Sequence, residues 1–197
     1  SKKNFKIGVN DNISCNKSYP KNLSNKFPII QKNINFYNSA FLNKISLKYI
    51  VLCEDLFVSE INTGGIPDTE KRTLILDINF NTKYFERMIH HEIFHMIQKS
   101  NMEIFDESRF SSLNDVNFKY AECSTCSDRL NLDLYNDTNG FLTEYSKSIA
   151  SEDMAEIFSF LMTDKTNIEA LIKKDKILEK KVTFIKSGIL KIDKNIL

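Results

Sequence analysis

The chain is short of net charge, of long apolar runs and of histidine, and each shortage excludes something. Its 27 Lys and Arg are offset by 26 Asp and Glu, which leaves a net charge of +1. A nucleic-acid binder normally presents a basic surface, so nucleic acid is not an expected partner. No run approaches the roughly eighteen apolar residues of a membrane span, and no transmembrane segment is expected. The four cysteines include one lone pair, Cys123-Ser-Thr-Cys126. A structural zinc site would need two more ligands, for which only Cys15 and Cys53 remain, so a disulfide or free thiols are the preferred reading. What is present in quantity is apolar: 42% hydrophobic residues, 15 of them Phe. That suffices for one substantial core, and the length favours a single domain over residues 1–197.

The three histidines of the 197 residues all fall in Tyr84-Phe-Glu-Arg-Met-Ile-His90-His91-Glu92-Ile-Phe-His95-Met-Ile-Gln98. His91-Glu92-x-x-His95 is the HExxH pattern of zinc hydrolases. From about Lys83 to Lys99 there is neither Pro nor Gly, and Phe85, Ile89, Ile93, Met96 and Ile97 recur at three- and four-residue spacing. This periodicity predicts an amphipathic helix over 83–99, with Asn81 or Thr82 as its cap. Four helical residues advance the chain about 6 Å and turn it about 40° past a full circle, so His91 and His95 share a face one turn apart and can reach one metal ion. Glu92 stands beside that ion without ligating it, as the candidate general base.

Catalytic zinc takes three protein ligands and keeps a fourth position for water. With no further histidine, the third ligand must be a carboxylate or a cysteine. The extended HExxHxxGxxH pattern is absent, because Gln98 and Asn101 occupy the Gly and His positions. The best carboxylate source lies in Ser151-Glu152-Asp153-Met-Ala-Glu156-Ile157-Phe158. Ser151 reads as an N-cap, Glu152 and Asp153 as first-turn acids, and Ile157, Phe158, Leu161 and Met162 as an apolar side, which predicts a helix over 151–163. Glu152 and Glu156 share a face at i, i+4. One can bind metal while the other accepts the remaining ring proton of a ligand histidine.

Elsewhere, Phe5–Val9, Phe27–Gln31, Leu47–Cys53 and Thr73–Ile78 read as strands, which makes residues 1–62 a strand-rich part. Gly64-Gly65-Ile-Pro67-Asp68 reads as a loop. Residues 72–78 are the expected edge strand, able to hold an extended peptide by main-chain hydrogen bonds. The Asn-, Asp- and Ser-rich stretch 100–139 is the expected source of substrate-shaping loops. Residues 166–197 read as helix, with Leu178, Val182, Ile185 and Ile189 as an apolar stripe and eight lysines on the other faces. That pattern suits a packed terminal helix better than one lying on a membrane. The chain begins Ser-Lys-Lys and reads as trimmed, which weakly favours a secreted protein. Sequons at Asn12, Asn16, Asn22 and Asn136 matter only in a glycosylating pathway.

The HExxH helix followed by a helix with Glu152-x-x-Ala155-Glu156-x-Phe158 is similar to the gluzincin-type catalytic domain of anthrax lethal factor and its relatives. That likeness implies Glu152 as third ligand, Glu156 as a partner that orients a ligand histidine, and Tyr145, seven residues before Glu152, as an oxyanion stabiliser. A resemblance over more of the chain, from about Gly64 onward, is to the bacterial-type family called putative zinc-binding metallopeptidases. It rests on Leu113-Asn114-x-x-x-Phe118-x-Tyr120, Gly140-Phe141-x-x-x-Tyr145 and Glu152-Asp153-x-Ala155-Glu156-x-Phe158, three motifs in the right order.

The resemblance implies an α+β, zincin-like domain: a small mixed sheet packed on the HExxH helix and on the second, Glu-bearing helix. It also implies one catalytic Zn²⁺ held by His91, His95 and Glu152, and a peptide or protein substrate. The expected activity is that of a zinc endopeptidase in which Glu92 activates a zinc-bound water. The readings kept beside it are a target-specific, toxin-like protease and a catalytically silent module that retains the fold.

Overall fold

The computed structural model describes residues 3–7, 11–58, 60–126 and 128–197, with side chains from residue 13 onward. The fold is α+β, as expected, with a mixed sheet and helices. The chain gathers into two compact units, Ser1–Ser100 and Asn101–Leu197.

The first unit carries β1 (Lys3–Ile7), β2 (Asp11–Lys17), α1 (Pro20–Ile34), α2 (Ser39–Lys44), β3 (Tyr49–Val58), β4 (Ile61–Asn62), β5 (Gly65–Asp68), β6 (Thr73–Asp77) and α3 (Thr82–Ser100). The strand order is β1-β2-β3-β6-β5, with β4 on β3. The β3–β6 pair is parallel and the others are antiparallel. One sheet face buries Ile13, Cys15, Cys53, Leu56 and Ile75, with Val58 and Ile66 packed against them. Cys15 and Cys53 are free thiols. Burial raises the pKa of both, and they serve as small apolar residues. The strands expected at Leu47–Cys53 and Thr73–Ile78 form, as does the first part of Phe5–Val9; Gly8 and Val9 lie outside the described residues.

Three expectations for this unit are corrected. Phe27–Gln31 is not a strand but part of α1, which even contains Pro28. The inward positions of α1, Leu23, Lys26, Ile30 and Asn33, keep helical spacing, and two of them are polar. Lys26 spends its charge on the Phe85 ring, 4.2 Å away. A hydrophobicity pattern cannot show such a stripe. Residues 72–78 are not an edge either, because β6 is hydrogen-bonded to β3 on one side and β5 on the other. Its unbroken apolar run, Leu74-Ile-Leu76, suits a strand flanked on both sides. The path ends instead at β5, in the segment whose Gly and Pro content predicts a loop. Pro67 fits such a position, since proline is tolerated on edge strands.

The second unit carries α4 (Glu107–Ser111), a 3-10 turn (Tyr145–Lys147), α5 (Ala150–Thr163), α6 (Lys165–Leu171) and α7 (Lys176–Ile192). The α5 helix packs on α4, α6, α7 and the 3-10 turn. Among the described residues, 112–144 form neither helix nor strand, in keeping with the loop-rich composition, and a Cys123–Cys126 disulfide closes one turn. Two expectations change here as well. The helix expected from Ser151 begins at Ala150, and Ile149 is its N-cap without a side-chain bond; acids in the first turn supply the favourable charge. The C-terminal stretch is two helices, because Asp175 accepts hydrogen bonds from the backbone N–H of Ile177 and Leu178 and so starts a new helix. The stripe Leu178, Val182, Ile185 and Ile189 is buried as expected, but Lys181 is fully buried beside it rather than on the solvated face.

Candidate metal centre

The α3 helix forms where its periodicity placed it: Phe85, Ile89, Ile93, Met96 and Ile97 are all inaccessible to solvent. Asn81 caps it by accepting a hydrogen bond from the Lys83 N–H at 3.0 Å. Packing on β5 and β6 fixes the helix's rotation. His91 and His95 then meet with their Nε2 atoms 3.2 Å apart and their rings 74° from coplanar. Two Zn–N bonds of about 2.0–2.1 Å at a tetrahedral angle would hold their nitrogens about 3.3 Å apart. The observed separation therefore fits two ligands of one ion without rearrangement.

His90, the third histidine, is a core residue. The Asn33 amide nitrogen donates to the Ile29 carbonyl, which leaves Asn33 Oδ1 to accept from His90 Nε2–H at 2.7 Å. The ring's Nδ1 therefore accepts from the Tyr37 hydroxyl at 2.6 Å. Both ring nitrogens are satisfied only when the imidazole is neutral, and burial lowers its pKa to about 4.

Glu92 is buried, as is Gly65 of β5 beside it. A methyl group on Gly65 would lie 2.6 Å from Glu92 Cγ and 3.1 Å from Met88 Sδ, and one on Gly64 would lie 2.8 Å from Met88 Cγ. The two glycines thus let the edge strand close on the HExxH helix at the level of the candidate base.

On α5, Glu152 and Glu156 are both buried, but their surroundings differ. Glu156 accepts a hydrogen bond from the Thr143 hydroxyl at 2.9 Å. Tyr145, half-buried, lies on the 3-10 turn that packs against α5. Its backbone N–H bonds the Asn131 carbonyl at 3.0 Å.

Asp153 points away from solvent altogether. One of its oxygens takes Lys181 Nζ at 2.6 Å and the Tyr120 hydroxyl at 2.7 Å. The same ammonium donates to the Gly140 carbonyl at 2.8 Å and lies 3.6 Å above the Phe141 ring. Burial raises the Asp153 carboxyl's pKa and lowers that of Lys181, while each charge opposes the shift on the other. Burial, reinforced by the Asp153 charge, raises the Tyr120 hydroxyl's pKa, so it stays a donor.

His91, His95 and Glu152 each offer one ligand atom, and these atoms all lie within 4.8 Å of one another, a grouping that could hold a metal ion. Sequence reasoning missed three residues around it. His90 looked like part of the motif and gave no sign of its own pocket. Gly65, between Gly64 and Pro67, carries only a loop signal in the sequence. Lys181 had a signal, since it falls three residues after Leu178 and four before Ile185 on an otherwise apolar stripe.

Residues 59–192 match the family model described as "Putative zinc-binding metallo-peptidase". No curated protein matches the chain. Among solved structures, the chain resembles the crystal structure of a putative zinc-binding metallo-peptidase from Bacteroides caccae, at 19% sequence identity and a TM-score of 0.58, covering 89% of this chain and 76% of that one. This likeness speaks for the fold. Because the family model spans well over half of the 197 residues, the chain belongs to the family of putative zinc-binding metallo-peptidases.

Proposed function

We propose that the protein is a zinc-dependent endopeptidase of the glutamate-zincin type, with His91, His95 and Glu152 as ligands of one catalytic ion. The observation that carries the reading is the approach of the three donor atoms to within 4.8 Å of one another, two of them imidazole nitrogens at ligand-to-ligand spacing. Two imidazoles and a carboxylate are a donor set that zinc hydrolases use.

Held by His91, His95 and Glu152, a zinc ion would act as a Lewis acid that makes a water far more acidic than it is in bulk. Glu92 accepts the proton given up by the attacking water and returns it to the amine nitrogen as the C–N bond breaks, so that water and peptide become a carboxylate and an amine. The Tyr145 hydroxyl donates to the developing oxyanion, a contact of a kind worth about 2.7–4 kcal/mol when well placed. Glu156 acts from behind by accepting a ring proton of a ligand histidine, which fixes its tautomer. β5, rather than residues 72–78, aligns an extended substrate beside Glu92 through main-chain hydrogen bonds.

The test is Glu92→Gln assayed on a peptide library with zinc content measured in parallel. Zinc is expected to stay while turnover falls by about 10²–10⁴-fold, the usual worth of a general base. Full turnover in that variant would refute the base. An unchanged zinc content in Glu152→Ala would move the third ligand elsewhere.

A further inference from the structure

The three motifs that carry the family resemblance meet in the second unit at one buried charge. From the first motif come Tyr120, which bonds Asp153, and Phe118, whose ring centroid lies 4.4 Å from that of Phe141. From the second come Phe141, which lies under the Lys181 ammonium, and Gly140, whose carbonyl accepts from it. Gly140 adopts φ +87°, and a methyl group there would lie 2.7 Å from Ile177 Cγ2, so the turn needs glycine. From the third comes Asp153, neighbour of Glu152. Lys181, on α7, joins the last two directly, and both it and Asp153 are wholly shielded from water.

The two carboxylates at the start of α5 are thus divided in labour. Asp153 faces inward and is gripped by a cation and a phenol. Glu152 is the preceding residue on the same helical turn, so a fixed Asp153 fixes the direction in which Glu152 leaves the helix. The N-cap position offers no side-chain bond that could do this instead.

We infer that Lys181, with Tyr120, is a positioning residue for the metal site: by clamping Asp153 it sets the first turn of α5 and hence the aim of Glu152. The inference rests on the reading of Glu152 as a zinc ligand. It also explains why residues so far apart in sequence belong to one recognisable set.

The experiment measures zinc affinity by competition with a chromophoric chelator, together with thermal unfolding, for the full chain and for Lys181→Met, Tyr120→Phe, Glu152→Ala and the pairwise combinations with Glu152→Ala. Lys181→Met is expected to weaken zinc binding by about 10–100-fold, the range typical of residues that support a ligand, and Tyr120→Phe by less. Neither should weaken it further once Glu152 is already Ala. A purely structural role for Lys181 predicts the same loss in both backgrounds, and that result would overturn the inference. Wild-type affinity in both single variants would also overturn it. Should Lys181→Met fail to fold, Tyr120→Phe, which keeps the ring and removes only the hydroxyl, decides by the same criterion. A Glu152→Ala protein with unchanged affinity would instead sink the ligand assignment itself.

Discussion

Two helices supply the candidate ligands, and they are held in different ways. α3 is held by apolar packing and by a neutral pocket in which Asn33 and Tyr37 satisfy both nitrogens of His90. The start of α5 is held by charge, the Lys181–Asp153 pair at 2.6 Å. Neutral hydrogen bonds in a core contribute about 0.5–1.5 kcal/mol each and lose little else when replaced in shape, whereas half of a buried ion pair is costly to remove. The helix carrying two candidate ligands is therefore the more tolerant of substitution on its supporting side, and the helix carrying one the less.

The sharpest way to break this contrast is Lys181→Met. It is expected to destabilise by about 3–5 kcal/mol in denaturant unfolding, while Lys181→Met with Asp153→Leu should recover most of that, because no charge is left stranded. Equal losses in the single and double variants would mean that packing, not charge, holds α5. Next comes pH. The pKa of His90 is about 4 against an ordinary 6.5, so its contribution is complete above pH 6.5 and is lost as the pH falls towards 4. The loss is on the order of 3 kcal/mol. The melting temperature of the wild type should accordingly fall more steeply over that window than that of His90→Gln; parallel curves would remove His90 from the account.

Gly65→Ala tests the approach of β5 to the candidate base. The added methyl, 2.6 Å from Glu92 Cγ, should displace the carboxylate and cost up to about 10²-fold in turnover, with zinc content unchanged. The smallest expected effect is that of Tyr37→Phe, which leaves His90 Nδ1 without its donor and should cost about 1–3 kcal/mol in chemical denaturation. A loss as large as that of Lys181→Met would erase the distinction between the two supports.

How far the sequence spoke for itself follows the same physics. Apolar periodicity sufficed for α3 and for the stripe on α7, since burying Phe85 or Ile185 needs no partner of special chemistry. The spacing of His91 and His95 was legible for the same reason, being a property of any helix. α1 escapes a pattern-based reading because its inward face includes the half-buried Lys26 and the buried Asn33, whose partners Phe85 and His90 are distant in sequence. Strand order was likewise invisible locally: nothing in Thr73–Asp77 states which neighbours will pair with it, although its unbroken apolar run was the available hint. Spacing alone left Glu152 and Glu156 equivalent. Their environments differ, Glu156 receiving the Thr143 hydroxyl and Glu152 lying in the grouping that could hold a metal ion.

Pro67 has one more consequence. The Asp77 N–H bonds the Gly64 carbonyl at 2.8 Å, and this sets the alternation along the β5–β6 ladder: Gly65 and Pro67 are the residues whose main-chain groups turn away from β6. An ordinary four-residue edge would turn two N–H donors outward, but β5 has only that of Gly65, because proline has none. A second copy of the sheet therefore finds too few donors to extend it, while a single peptide still finds one beside Glu92. The strand proposed to receive a guest chain is thus also guarded against the edge-to-edge growth that leads to aggregation.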